Sequence, residues 1–334
     1  MKWHVWLGII VSTIFGLAMV SQVDFQHLGA ALRSADYLFL GLAAITQVST
    51  HLVRAWRWQY LLAPVQSMRL QSLLSATAIG FLANMLLPAH AGEVVRAYVL
   101  KHKEGVSTAT SLATIVVERV ADLVSILVIF SVALGFTNVR SEMVPVAAHL
   151  RTGSYVSACL CMGLIGGLWF LKTKTVRLIQ WLDNGLTVLP PRWRQHLIAV
   201  LASFALGLQA LNVGRQLIAV LVLSLLLWSV SAFSNVFVFY AFGSQLPFAA
   251  AFFMLAVQLL GTAIPSSPGF IGTYHAAVVA GLAVFEVTPE LALSMAIMMH
   301  ATFFFPFILV GLLFLWRESL SLHELRTVNV QHLG

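Results

Sequence analysis

Four stretches of this chain set charged, hydroxyl and backbone-bending residues close together. The first, NMLLPAHAGEVVR at 84–96, gathers Asn84, Pro88, His90, Gly92, Glu93 and Arg96. Glu93 follows Gly92 and is placed to open a helix, where the positive end of the backbone dipole favours a carboxylate. Arg96 is three residues on and on the same face, so the two can pair. In the second, VVERVADLVS at 116–125, Glu118 and Asp122 are four apart and share a helix face. Arg119 sits about 100° round that helix. Two stacked carboxylates need cations beside them, and Arg54, Arg57, Arg96 and Arg119 are the candidates. Such a cluster serves a substrate, a buried structural network, or both. The third, RAWRWQYLL at 54–62, spaces Arg54 and Trp58 for guanidinium–indole stacking. Anchoring at a membrane interface accounts for this stretch, and Arg57 is also able to hold a phosphate. The fourth, PSSPGFIGTYH at 265–275, offers Pro265, Ser267, Pro268, Gly269, Gly272 and His275. Its bends free backbone N–H groups that can cradle an anion, and a purely structural turn is the competing account.

What these residues mean depends on the solvent around them. Of 334 residues, 60% are hydrophobic and 9% charged, too little charge to cover a soluble domain of this size. Several windows run nearly charge-free for the length a helix needs to cross a bilayer. The chain therefore reads as an all-α polytopic membrane protein. The formal charge of +7 then reports topology rather than nucleic acid, because the basic residues cluster in short loops. Cys159 and Cys161 lie in an apolar segment and read as packing residues.

Six full crossings are expected, near 5–21, 37–53, 108–136, 154–171, 216–242 and 291–315, the first a retained signal anchor. Residues 22–36 read as an outside loop. Counting 70–87 as a seventh crossing would place Arg96, Lys101 and Lys103 outside. A cytoplasmic re-entrant hairpin over 70–100, broken by Pro88 and Gly92, removes the conflict. A second hairpin over 250–286 enters from the opposite side. About 15 of the 19 Lys and Arg then face the cytoplasm. Both termini lie on that side of the cytoplasmic membrane. Residues 1–334 form a single membrane domain in which 37–136 and 216–315 are the halves of an inverted-topology repeat. Between them, 174–214 reads as interfacial helices.

No Walker A, Gly-rich dinucleotide or HExxH motif is present. His51, His275 and His300 lack metal-ligand spacing. No cofactor, metal or nucleic-acid partner is expected, and the chain is expected not to be an enzyme.

Together NMLLPAHAGEVVRAYVL, VVERVADL and AIPSSPGFIGTYHAAV, with RAWRW upstream, resemble the flippase-like membrane domain shared with lysylphosphatidylglycerol synthases/flippases. The likeness covers roughly 37–315. Asn84, Pro88, Gly92, Glu93, Arg96, Glu118, Arg119 and Asp122 match that family's motifs. His90 stands where Arg is common, Phe270 where a second Gly is frequent, and His275 where Glu is often found. The resemblance implies a stand-alone member without the aminoacyltransferase domain, of a kind associated with glycosyltransferase or hopanoid pathways. It implies translocation of a polar or anionic lipid, with a lipid-linked sugar as one form. Arg96, Arg119 and Arg57 would hold a phosphate, balanced by Glu93, Glu118 and Asp122. The alternatives are a lipid-headgroup-modifying membrane enzyme, with Glu118/Asp122 or His90 as acid/base, and a non-transporting accessory protein.

Overall fold

A computed structural model describes residues 25–86, 92–136, 215–264 and 268–320, with isolated positions at 152, 159, 163 and 166. The expected crossing at 5–21 and the interfacial segment 174–214 lie outside the described residues, as does that at 154–171 but for these isolated positions. Within them the secondary structure is helical throughout, without strands.

A short helix α1 (Phe25–Ser34) leads into α2 (Tyr37–Leu62). The loop expected at 22–36 is thus a helix for most of its length. Leu28, Ala31 and Leu32, at i, i+3 and i+4, form a half-buried stripe, and α1 packs on the last described helix. Asp36 caps α2, its carboxylate accepting the Leu38 N–H at 2.8 Å. Then follow α3 (Leu70–Leu86), α4 (Gly92–Glu104) and α5 (Thr108–Phe136). The second group comprises α6 (Arg215–Ala241), α7 (Phe248–Ala263), a 3-10 turn at Pro268–Phe270, α8 (Thr273–Ala283) and α9 (Pro289–Arg317). Each group runs long, short, short, long: 26, 17, 13 and 29 residues, then 27, 16, 11 and 29.

At ~1.5 Å per residue, 26 residues reach about 39 Å, more than a hydrocarbon core of ~30 Å. Tyr37–Leu62, Gln216–Ala241 and Pro289–Arg317 are long and apolar enough to cross a membrane. The exterior shows which solvent the fold is built for. On α2, Leu38, Ile45 and Leu52 recur every seven residues along one exposed stripe, with Trp56 beside it. Thr50, His51, Arg54 and Arg57 of the same helix are buried. Apolar outside and charged inside is the pattern of a helical membrane protein.

Two buried clusters flank the centre. Trp58, Leu61, Ile79, Leu82 and Val95 join α2, α3 and α4. Val238, Met254, Val278, Leu282 and Met295 join α6 to α9. Helix α2 packs along α6 in antiparallel sense: Asp36 donates its N–H to the Ala241 carbonyl, Ser231 bonds Gln47, and Ser224 bonds Arg57.

Small residues let the short helices close on the core. A Cβ at Gly92 would lie 2.0 Å from the Gly80 carbonyl and 2.5 Å from Asn84 Oδ1. One at Gly311 would lie 2.5 Å from Leu82 Cβ, where α9 meets α3. Backbone approach of this kind drives helix association where lipid supplies no hydrophobic contrast.

Candidate functional site

Helices α3 and α4 pack on each other, and Asn84 joins their ends. Its Oδ1 accepts the Gly92 N–H at 2.7 Å, satisfying one of the orphan donors that open α4. Glu93 and Arg96 sit on the first turn of α4, where their spacing lets them pair, but each takes a partner on another helix. Helix α5 lies close enough to offer better partners. Arg96 forks onto Glu118, with Nη1–Oε2 at 2.6 Å and Nη2–Oε1 at 3.3 Å. Glu93 forms an ion pair with Arg119 at 3.2 Å. An inter-helix bidentate pair beats the i,i+3 pair because both side chains reach it without bending along their own helix.

Arg57 is fully buried and serves both carboxylates of α5. It binds Asp122 through both terminal nitrogens and places Nε 3.7 Å from Glu118. Ser224 of α6 accepts from Arg57 at 2.6 Å, and Trp228 donates to Asp122 at 2.9 Å. Arg119 completes the cluster, 3.5 Å from Asp122. Interface anchoring is therefore corrected for Arg54, Arg57 and Trp58 of RAWRW, which are all buried, while Trp56 is exposed. The expected Arg54–Trp58 stack is also replaced. Trp58 carries Arg96 on its face at 3.6 Å and donates to Thr114. Arg54 lies over Phe81 at 4.7 Å and over Trp228 at 5.1 Å.

A cavity of about 470 Å³ opens beside this cluster. Asn84, Glu93, Arg119 and Arg54 line one side of it. Phe270 and Tyr274, from the second proline-glycine stretch, line another, so that stretch and the first face a common space. Arg57, Arg96, Glu118 and Asp122 stand behind the wall as its ionic support. Gly92 is consumed by the α3–α4 contact. Pro88, His90, Pro265 and Ser267 lie outside the described residues, and of Pro268 only the backbone is described, in the 3-10 turn.

The second stretch is held by backbone geometry. Gly269 (φ 79°) and Gly272 (φ 95°) adopt left-handed conformations that favour glycine. Phe270, at the position where the resemblance places a glycine, is also left-handed at φ 58°. The Gly269 carbonyl meets His300 Nε2 at 2.9 Å, and His275 Nδ1 faces the Gly272 N–H at 3.5 Å. His275 is thus a capping residue of α8 rather than part of the cavity wall. Among the described residues no group of His, Cys, Asp and Glu is arranged to hold a metal.

Sequence reasoning missed the cavity's neutral polar side chains, among them Gln47, Ser231, Gln258 and Thr262. A signal existed. Ser224, Trp228, Ser231 and Asn235 recur every three or four residues in a predominantly apolar α6, marking a polar stripe turned inward.

With this geometry in view, the comparison with known proteins is decisive on one point. The profile of the lysylphosphatidylglycerol synthase TM region matches residues 5–311. The chain belongs to that family. It is 27% identical over 322 residues to Glycosyltransferase AglD of Haloferax volcanii, covering 87% of this chain and 51% of that protein. It thus spans about half the length of that relative. It is 24% identical over 311 residues to a UPF0104 membrane protein of Methanothermobacter thermautotrophicus, covering 91% and 90% of the two chains. A UPF0104 membrane protein of Methanocaldococcus jannaschii is 24% identical over 228 residues, covering 68% and 90%. No solved structure gives a significant match.

The family is one of membrane proteins related to lipid-modifying or flippase-like function. The expectation that the chain is not an enzyme is corrected here, because a relative is named a glycosyltransferase. The absence of a local motif was a weak basis for it. Groups dispersed over several helices leave no contiguous signature, as the four helices α2, α4, α5 and α6 contributing to this cluster illustrate.

Proposed function

We propose that this protein binds the headgroup of an anionic lipid, a lipid-linked sugar among the candidates, and carries it across the cytoplasmic membrane. The observation that carries this reading is a cavity lined by charged and amide groups among aromatic and aliphatic ones, beside an arginine–carboxylate cluster, inside a bundle with an apolar exterior. A charged group at the bilayer centre costs ~3 kcal/mol even on insertion scales. A cavity that supplies counter-charges lowers that barrier while acyl chains stay in lipid.

The two short-helix pairs, α3–α4 and α7–α8, act in this proposal as oppositely oriented re-entrant hairpins of two inverted halves, 37–136 and 216–315. The matching order of helix lengths and the antiparallel α2–α6 pair support that arrangement. Six crossings with both termini in the cytoplasm complete it. Lipid-biosynthetic or glycosyltransferase proteins are the protein partners that fit it.

The test is reconstitution into liposomes with headgroup-labelled phospholipids and polyprenyl-linked lipids. Wild type accelerates exchange between leaflets, and Glu93→Ala and Arg96→Ala slow it. No acceleration of any lipid by wild type ends the proposal. The second reading, chemistry on the bound headgroup, is favoured by the name of the Haloferax relative. A covalent lipid product found by mass spectrometry after incubation would establish it.

A further inference from the structure

The four arginines around the cavity are not equivalent. Arg57, Arg96 and Arg119 each contact a carboxylate. Arg54 forms no ion pair among the described residues, although it is only 5% exposed. Its Nε and Nη1 are buried without a hydrogen-bond partner among those residues. Phe81 and Trp228 clasp the guanidinium, which fixes its plane at the cavity wall. Among the described residues of the cluster, four arginines (Arg54, Arg57, Arg96, Arg119) face three carboxylates (Glu93, Glu118, Asp122), a formal excess of one positive charge.

We propose that Arg54 is the anion ligand of this cavity and that the site is matched to one negative charge, the phosphodiester of a lipid headgroup. This rests on the reading of the cavity as a headgroup site and names its substrate class. The planar guanidinium fork fits two phosphate oxygens, and its weak hydration suits a buried position. A phosphodiester carries one negative charge and cancels the excess. A pyrophosphate carries at least two and leaves the buried cluster negative. Beyond Arg54 and the mutually paired Arg119 and Glu93, the cavity offers amides and hydroxyls, with Ser231 donating to Gln47 at 3.3 Å and Gln258 nearby. These groups suit the uncharged hydroxyls of a glycerol or sugar attached to the phosphate.

The experiment is calorimetric titration of the full chain in detergent micelles with four short-chain probes. Dihexanoylphosphatidylglycerol and a citronellyl phosphoryl-hexose are phosphodiesters from the two possible sources. Citronellyl pyrophosphate carries the extra charge, and dihexanoylglycerol carries none. At least one phosphodiester is expected to bind wild type tenfold or more tightly than the pyrophosphate, with the neutral probe not binding. Which phosphodiester binds identifies the source. Arg54→Gln is expected to weaken it tenfold or more, with Arg54→Lys in between. Glu93→Gln raises the formal excess to two and is expected to shift preference at least tenfold toward the pyrophosphate, which a merely structural role would not do.

Unchanged affinity in folded Arg54→Gln, a wild-type preference for pyrophosphate, or no binding of any probe to wild type overturns the proposal. If Arg54→Gln fails to fold, the wild-type ranking and the Glu93→Gln shift decide it. Failed transport in liposomes with this binding pattern intact removes translocation and leaves the Arg54 site. Transport with full phosphodiester affinity in Arg54→Gln removes the Arg54 site and leaves translocation.

Discussion

Two ion pairs of the cluster differ in burial, and that difference predicts very different energies. In Arg96–Glu118 the side chains are 3% and 0% exposed, and in Arg119–Glu93 they are 40% and 25% exposed. Opposite charges 4 Å apart attract by about 4 kcal/mol at an effective dielectric of ~20. Where solvent reaches the pair, screening and side-chain entropy leave ~0–1 kcal/mol. Glu118→Gln removes the one carboxylate that touches Arg96 among the described residues and leaves its guanidinium against Trp58 without counter-charge. Arg57 keeps Asp122, so the damage centres on Arg96. The expected loss is about 3–5 kcal/mol, as for breaking any buried pair from one side. Glu93→Gln is expected to cost less than ~1 kcal/mol. Reversible unfolding in mixed micelles with rising dodecyl sulfate, followed by circular dichroism, measures both. The Arg96→Met/Glu118→Leu double variant should recover most of the loss, because no charge is then buried alone. Equal losses for Glu118→Gln and Glu93→Gln, or additivity of the Arg96 and Glu118 variants within ~0.5 kcal/mol, would refute the reasoning.

Other perturbations test the packing and the remote ties. Gly92→Ala forces a methyl into the Gly80 carbonyl and should cost at least ~1–3 kcal/mol in the same unfolding assay. Gly41→Ala meets nothing within 4 Å on α2 and should stabilise by about 0.5–1 kcal/mol. Gln258→Leu strips the donor from Asn235 Oδ1, bonded at 2.9 Å, and should cost ~1–3 kcal/mol. At the end of α9, burial pushes the Glu318 carboxyl up, but hydrogen bonds from Lys103 and Ser75 outweigh it and hold the group below its ordinary value. The tie therefore adds stability above the unfolded carboxylate value of ~4.3, and that stability is lost as pH falls through the lower folded value. Thermal unfolding from pH 7 downward should show this loss in wild type and a smaller one in Lys103→Met.

Composition and charge placement determine a great deal about this protein on their own. A chain with 9% charged residues can satisfy its backbone in lipid by forming helices, and the apolar runs place the helix limits at 108–136 and 216–242 to within a residue. The candidate residues were also legible, because Asn84, Glu93, Glu118, Arg119 and Asp122 stand out against that background. Their partners were not. Spacing along one helix suggested Glu93 with Arg96 and Arg54 with Trp58, yet each of these residues found a better contact on another helix. Which arginine is neutralised and which is left facing the cavity depends on where α2, α5 and α6 cross. No one-dimensional pattern carries that distance. Tertiary packing alone decided that Arg57, 0% exposed, is held by carboxylates, and that Arg54, one turn earlier on the same helix, is buried without an ion pair among the described residues.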